Sequence, residues 1–315
     1  MKLAQINGKS AIVTPEHNHF FYTSDVAKAA GLELLRKNNI DIAMDSQLRA
    51  QLEAVLKSKK APALAQPLTP NTPFECPVPT PQSFRDAYAF LEHVQTCRKA
   101  RGQEVHPAFY ECPAFYFSNP VSIAGSGIVK IPAHNQEKLD YELEVGIVIG
   151  KDTSDTAAKQ ADSVIAGFML LNDWSGRKIQ AERELPMMMG PNKSKDFATT
   201  CGPWLTTTDE LKPLVESTAR GNHYNIPLKA SVNGKTLSEG NLNTLHYTFA
   251  EIIAHTSAGT TLKKGDIIGS GTVGTGCLLE LNLAGKTDGL WLQDGDEVTL
   301  SSEILGELKN KIAFN

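Results

Sequence analysis

Aromatic residues make up 7% of the 315 positions, cysteine occurs five times, and no stretch approaches the roughly 18 consecutive apolar residues needed to span a bilayer. Membrane-spanning readings are excluded. Cys76, Cys97, Cys112, Cys201 and Cys277 are odd in number and scattered, with no C-x-x-C pair. That pattern excludes a disulfide framework and a thiolate zinc or redox motif, and the five read as reduced, mostly buried small hydrophobes. Neither sign of charge dominates, since 31 Lys+Arg stand against 35 Asp+Glu for a net charge of −4. Nucleic acid has no basic surface to hold, and an anionic substrate must be captured by a local cluster. The start, MKLAQINGKSAIVTPEH, lacks the apolar core and small-residue cleavage site of a secretory signal, so a cytoplasmic location is expected. With 24 Gly and 17 Pro, near average usage, collagen and low-complexity disorder are excluded as well. What is present is length: a chain of this size buries about 75% of its unfolded surface, enough for one large domain and a small one.

Residues 1–60 contain two helical patterns, SDVAKAAGLELLRKN and DSQLRAQLEAVLKSKK, each opened by Ser or Asp at a capping position. They predict a small N-terminal region. Seven prolines between positions 61 and 82 can continue neither a helix nor a central strand, so this stretch is read as a linker or an extended crossing segment. Phe84, Ala87, Phe90, Leu91 and Val94 recur at helical spacing and predict a helix from about Ser83 to Arg101. From Pro113 the pattern changes to short apolar runs broken by Gly, Pro, Asn and Asp, with Asn233-Gly234 as a hairpin turn. TLHYTFAEIIAHTSAG and WSGRKIQAERE interrupt them as helices. The expected fold class is α+β, mostly β.

In Asp140-Tyr141-Glu142-Leu143-Glu144-Val145, strand alternation puts Glu142 and Glu144 on one face and the apolar residues on the other. Two like charges beside VGIVIG require either water or a cation. Asp173 adds a third carboxylate at the end of VIAGFMLLN, and Asp86 a fourth. The helical reading sets Asp86 two turns from His93, roughly 10 Å away on one stripe. An all-oxygen set of Asp86, Glu142, Glu144 and Asp173 suits a hard cation, Mg²⁺ or Ca²⁺, better than zinc. A solvated strand face is the other reading of the Glu-x-Glu pair alone. His93 is either a packed, hydrogen-bonded residue or a base, and a buried carboxylate to orient it would favour the base. Glu280, set in CLLELNL, is the candidate partner. The loop Gly269-Ser270-Gly271-Thr272-Val273-Gly274 matches G-x-G-x-x-G in form, but a β-like CLLELNL follows it, which offers no seat for a pyrophosphate. Its glycines are read as allowing close approach to a ligand. No G-x-S-x-G or P-loop motif is present.

The ordered blocks FRDAYAFLEH, KLDYELEVGIVIGK, LLNDWSGRKIQ, KSKDFATTCGPW, GSGTVGTGCLLEL and DGDEVTL resemble the fumarylacetoacetate hydrolase family over about three-quarters of the chain. Residues 1–60 carry no such match. The resemblance implies a mixed β-sandwich roll as the catalytic domain, residues 83–315, and a homodimer acting on a small-molecule diketo acid. It implies Asp86, Glu142, Glu144 and Asp173 as metal ligands with Thr199 near the metal, His93 as base with Glu280 as its partner, and Lys195 and Arg177 as electrophilic groups. Tyr88, Tyr116, Gln180 and Thr272 match substrate contacts. Departures are present too. Gly102 stands where family members have an Arg, leaving Arg101 or Arg98 for that contact. Glu184 replaces a Tyr, and the segment before Lys195 is two residues longer. The implied activity is metal-dependent hydrolysis of a carbon–carbon bond in a β-diketone acid, fumarylacetoacetate to fumarate and acetoacetate. Acylpyruvate hydrolysis, oxaloacetate decarboxylation and dienoate hydration or isomerisation are the related alternatives. A non-catalytic ligand-binding protein on the same scaffold is a further one.

Overall fold

In a computed structural model, which describes every residue except Pro15, His17, Leu35, Arg36, Pro79 and Arg101, the chain opens with strands rather than helices. Asn7 and Gly8 take φ of 50° and 70°, the positive values a tight hairpin turn requires. They fold β1 (Lys2–Ile6) against β2 (Lys9–Val13), and β3 (His19–Tyr22) continues the sheet. Helices α1 (Thr23–Ala29), α2 (Asn39–Met44) and α3 (Ser46–Leu56) follow. Asp45 caps α3 as expected, its Oδ1 accepting from Leu48 N at 2.9 Å, whereas α1 stops well short of the predicted length. The proline-rich segment is extended, adding two-residue strands at Gln66–Pro67 and Phe74–Glu75 to β3 and β1.

The predicted helix over 83–101 is corrected. Phe84–Ala87 forms β4, because it pairs with strands on both sides, and α4 occupies Leu91–Lys99. Asp86 and His93 therefore share no helical stripe. Then come β5 (Phe115–Ser118), β6 (Gly127–Ile131), β7 (Leu143–Ile149), β8 (Ile165–Asp173) and β9 (Thr199–Thr207). The Asn233-Gly234 turn joins β10 (Pro227–Val232) to β11 (Lys235–Asn241) as expected. Thr248 forms a capping box for α5 (Phe249–Ser257), and β12 (Ile267–Gly269) leads towards α6 (Leu278–Leu283). The β-like reading of CLLELNL is corrected by α6. The chain ends in β13 (Glu297–Ser302) and β14 (Gly306–Phe314).

These strands form a twelve-stranded sheet with the path β3-β2-β1-β9-β8-β7-β12-β4-β5 at its heart, and a five-stranded sheet ordered β11-β10-β13-β14-β6. The architecture is α+β and sheet-dominated. Period-two alternation gives the large sheet two apolar faces. Phe168 and Leu170 join Leu143, Val145 and Ile147 in a core shared with Leu228, Leu300 and Leu308 of the small sheet. Met169 and Leu171 point the other way, into a core with Leu3, Ile12, Leu48 and Leu52. The N-terminal segment thus shares both a sheet and a core with the rest, so residue 60 marks no edge of the architecture. No helix among the described residues is long and apolar enough to cross a membrane.

Candidate active site

The carboxylates come together because four adjacent strands, β8-β7-β12-β4, present them on one face. Asp173 ends β8, Glu144 lies in β7 with Glu142 just ahead of it, and Asp86 lies in β4. Each belongs to the side of the sheet that carries Met169, Leu171 and Phe84. Asp86, Glu142 and Glu144 are buried and bring one oxygen each within 4.8 Å of one another. Between Asp86 and Glu144 the face is left open by Gly269: a Cβ there would lie 2.1 Å from Asp86 Oδ1 and 3.1 Å from Glu144 Oε2. The glycine loop closes over the group, Gly271 N donating to Asp86 Oδ1 at 3.2 Å and Thr272 Oγ1 to Glu144 Oε1 at 3.3 Å.

Electrostatics show what this cluster lacks. Burial, together with the neighbouring Asp173 and Glu142 charges, pushes the Asp86 carboxyl well above its ordinary range. Glu144 is pushed well above its own by burial and by Asp86, Glu142 and Asp173. No hydrogen-bond donor among the described residues reaches the buried Oε2 of Glu144. Glu142 behaves in the opposite way: burial would raise it, but Lys195 and Arg177 overcome that and hold it at about 2. Asp173 is set slightly apart. Lys195 Nζ donates to its Oδ2 at 2.7 Å and also to Glu142, Tyr116 OH donates to the same oxygen, and Thr199 Oγ1 reaches Oδ1 at 3.4 Å. An all-oxygen donor set, an orphaned acceptor and room secured by a glycine fit a hard divalent cation.

His93 lies on α4 with Nδ1 2.8 Å from Glu280 Oε2, both side chains buried. Burial alone would lower the imidazole, yet the Glu280 charge raises it well above its ordinary value. The ring meets Tyr88 edge-on at 5.3 Å, and Cys97 Sγ sits 3.8 Å from Nε2. Cys277 Sγ donates to Glu280 Oε2 at 3.6 Å and is itself pushed up to about 12, first by burial. Two cysteines read as plain hydrophobes thus border the histidine. Arg177 forks between carboxylates, Nε to Asp140 at 2.8 Å and Nη2 to Glu142 at 2.7 Å, while Nη1 donates to Gln180 Oε1 at 3.1 Å.

Asp86, Tyr88, His93, Tyr116, Glu142, Glu144, Arg177, Gln180, Lys195 and Thr272 all line a cavity of about 290 Å³. Ala114, Phe115, Leu185, Pro191 and Arg98 also line it. The profile described as fumarylacetoacetate (FAA) hydrolase C-terminal matches residues 82–313. The chain belongs to the fumarylacetoacetate hydrolase family. Among its relatives in this family are the fumarylacetoacetases of Oryza sativa, 31% identical over 76% of this chain and 68% of that protein, and of Arabidopsis thaliana, 29% identical over 71% and 65%. The chain thus spans about two thirds of the length of these relatives. A solved maleylpyruvate hydrolase from Sphingobium, in complex with manganese(II) and pyruvate, superposes over the whole of both chains with a TM-score of 0.71 at 23% identity, a likeness of fold.

Of the residues that the family resemblance points to, Arg101 lies outside the described residues, and Asp173, Thr199 and Glu280 stand behind the cavity wall rather than in it. Glu184 is buried, and its carboxylate accepts from Ser194 N at 2.8 Å and from Ser194 Oγ. It ties the wide helical turn Gln180–Glu184 to the segment that delivers Lys195. Sequence reasoning passed over Asp140, Asn172 and the specific need for Gly269. Asn172 Oδ1 accepts from Glu142 N at 2.9 Å and so fixes the backbone beside the carboxylate cluster. The signal for Gly269 lay in the glycine loop itself, read as a close approach to a ligand; what is approached is the carboxylate cluster.

Proposed function

We propose that the chain hydrolyses a carbon–carbon bond in a β-diketone acid, with fumarylacetoacetate, cleaved to fumarate and acetoacetate, as the leading substrate. The observation that carries this reading is that a histidine backed by a buried carboxylate faces the same cavity as three convergent carboxylates. Decarboxylation has no use for an activated water, whereas hydrolysis requires one. Asp86, Glu142 and Glu144, with Asp173 beside them, would hold Mg²⁺ or Ca²⁺. When bound, that ion supplies positive charge for the substrate's adjacent oxygens and for the negative charge that develops on bond cleavage.

His93 takes a proton from water, and the Glu280 charge at Nδ1 stabilises the imidazolium that results. The hydroxide adds to the distal carbonyl carbon, forming a carbon–oxygen bond and a tetrahedral oxyanion. Arg177, Gln180 and Lys195 border the cavity where donors to that oxyanion are needed. Collapse restores the carbonyl, breaks the carbon–carbon bond and leaves the electron pair on the departing carbon. That carbon takes up a proton from the imidazolium or from Lys195. Water is thereby divided between the two products, OH to the acid and H to the ketone.

The apolar lining residues Ala114, Phe115, Leu185 and Pro191 support a second reading, cleavage of acylpyruvates with a hydrocarbon arm. The two separate in an absorbance assay with Mg²⁺, comparing the loss of fumarylacetoacetate with that of an acylpyruvate series. Turnover of fumarylacetoacetate with the higher kcat/KM is expected. Preference for acylpyruvates would replace the first reading with the second, and no turnover of any diketo acid would overturn both.

A further inference from the structure

The two halves of the site, the His93–Glu280 pair and the Arg177–Glu142 pair, meet at one side chain that neither pair includes, and Glu280 is more than a hundred residues from both members of the second pair. Asp140 is completely buried and receives three donors: Leu278 N at 2.7 Å on Oδ1, and Leu279 N at 3.0 Å and Arg177 Nε at 2.8 Å on Oδ2. Leu278 and Leu279 are the first two residues of α6, and the next residue is Glu280. The residue that normally caps a helix is here Cys277, which makes no side-chain cap bond. Asp140 supplies that function from the other side of the site, satisfying two of the free amides at the start of α6. Backbone pairing fixes its other arm. Leu139–Asp140 pairs with Ser175–Gly176, Asp140 opposite Ser175, and this places Arg177 beside the carboxylate. Asp140 does not line the cavity.

We propose that Asp140 is a positioning residue that holds the His93–Glu280 base in register with Arg177 and Glu142. One oxygen, Oδ2, is shared between an α6 amide and the guanidinium, so a displacement of either is felt by the other. The backbone that carries Glu280 is fixed by Asp140 at its N-terminal end, and Glu280 in turn sets the imidazole. Removing the carboxylate frees the first turn of α6 and half of the Arg177 fork together. An ordinary capping residue would fix the helix alone. The proposal rests on the base role given to His93 above.

The test uses the full chain carrying Asp140→Asn, which keeps the size of the side chain but, in either amide orientation, turns an NH₂ group towards at least one of the three donors. With Mg²⁺ and the diketo acid, kcat is expected to fall on the order of 10²-fold, the cost of a small misplacement, with KM within about twofold. In the Glu280→Gln background the same substitution is expected to cost less than about threefold, because its route is already broken. A readout independent of turnover is the NMR titration of the His93 ring without substrate. The groups facing that ring are Glu280 and Cys277 from the α6 side, Cys97 on its own helix and Tyr88, with the Glu142 charge across the site. Its midpoint is expected to drop by about one pH unit in Asp140→Asn as the hold of Glu280 loosens. Losses that multiply in the double variant, or an unmoved midpoint, would overturn the proposal. If Asp140→Asn does not fold, Asp140→Glu keeps the charge but displaces both oxygens, and wild-type kcat and midpoint in that variant would overturn it equally. Failure of the wild type to turn over any diketo acid would instead count against the function, and the NMR arm would still judge Asp140.

Discussion

At the scale of single residues, neighbouring carboxylates of the same type are shifted in opposite directions because their partners differ. Glu142 has two cations and is held low, while Glu144 faces other acids and is pushed well above its ordinary range. A raised carboxyl in the folded state contributes stability below its unfolded value of about 4.5, and that contribution is lost as pH rises through the folded value. Cation-free protein should therefore melt at a lower temperature at pH 8 than at pH 5, and Glu144→Gln should shrink that difference while weakening Mg²⁺ affinity by at least about tenfold. Calorimetry in chelator at both pH values and an Mg²⁺ titration check this; a wild-type pH difference in Glu144→Gln would contradict it. The histidine carries the other residue-scale prediction. Because Glu280 holds the imidazole above its ordinary value, its stability contribution is present below about 6.5 and lost as pH rises through the folded value. The free base forms over that same rise, so the acid limb of kcat/KM should lie above pH 6.5. Glu280→Gln should move that limb to lower pH, since burial then meets the smaller opposing effects of Cys97 and Cys277, and should reduce the plateau by roughly 10²–10⁴-fold. His93→Ala should lose the limb altogether while retaining Mg²⁺ binding.

At the scale of elements, what the sequence could and could not reveal follows from where each element finds its partners. Glu142 and Glu144 were legible because alternation along a strand is a local property, and Asp173 because it ends an apolar run. Asp86 was assigned its chemistry but not its element. Phe84–Ala87 is a four-residue run whose spacing suits a helix, and it becomes a strand through pairing with residues 267–269, far along the chain. CLLELNL is helical for a comparable reason: its cap, Asp140, is distant in sequence, so no local signal marks the start. The opening hairpin was not among the expectations, although Asn7-Gly8 is a local turn signal between two short apolar runs. The loop before Lys195 shows an element whose base is closed by a buried carboxylate. Its tip, Met187–Met189, is exposed, and its base is closed by Glu184 on Ser194. Glu184→Ala strands a buried amide and should cost about 1–3 kcal/mol in urea unfolding. Protease cleavage within residues 185–193 should quicken in parallel; an unchanged cleavage rate would show that the loop is held by other means.

At the scale of the whole molecule, the site depends on a sheet that the N-terminal segment helps to complete. The carboxylates lie at one end of a face whose remainder is covered by α1–α3 and extended by β1–β3. β1 pairs with residues 204–206 of β9, the strand whose other end, Thr199, lies beside Asp173, so removing the segment bares part of that strand's edge as well as an apolar face. Leu3, Ile12, Phe21, Leu48 and Leu52 are all buried against that face. At about 1.5–3 kcal/mol for each large side chain, their burial rivals the entire margin of about 5–15 kcal/mol that keeps a protein folded. The part of the chain that matches the family profile should therefore fail to fold without the part that does not. A fragment of residues 61–315 is expected to elute as aggregate on size exclusion, with no cooperative melt and no response to Mg²⁺. Supplying residues 1–60 in trans should restore part of the soluble fraction, because the exposed edge and face are the ones those residues cover. A monodisperse 61–315 fragment melting within a few degrees of the full chain would show that the shared sheet is dispensable, and that the small sheet and its interlayer core alone hold the carboxylates in register.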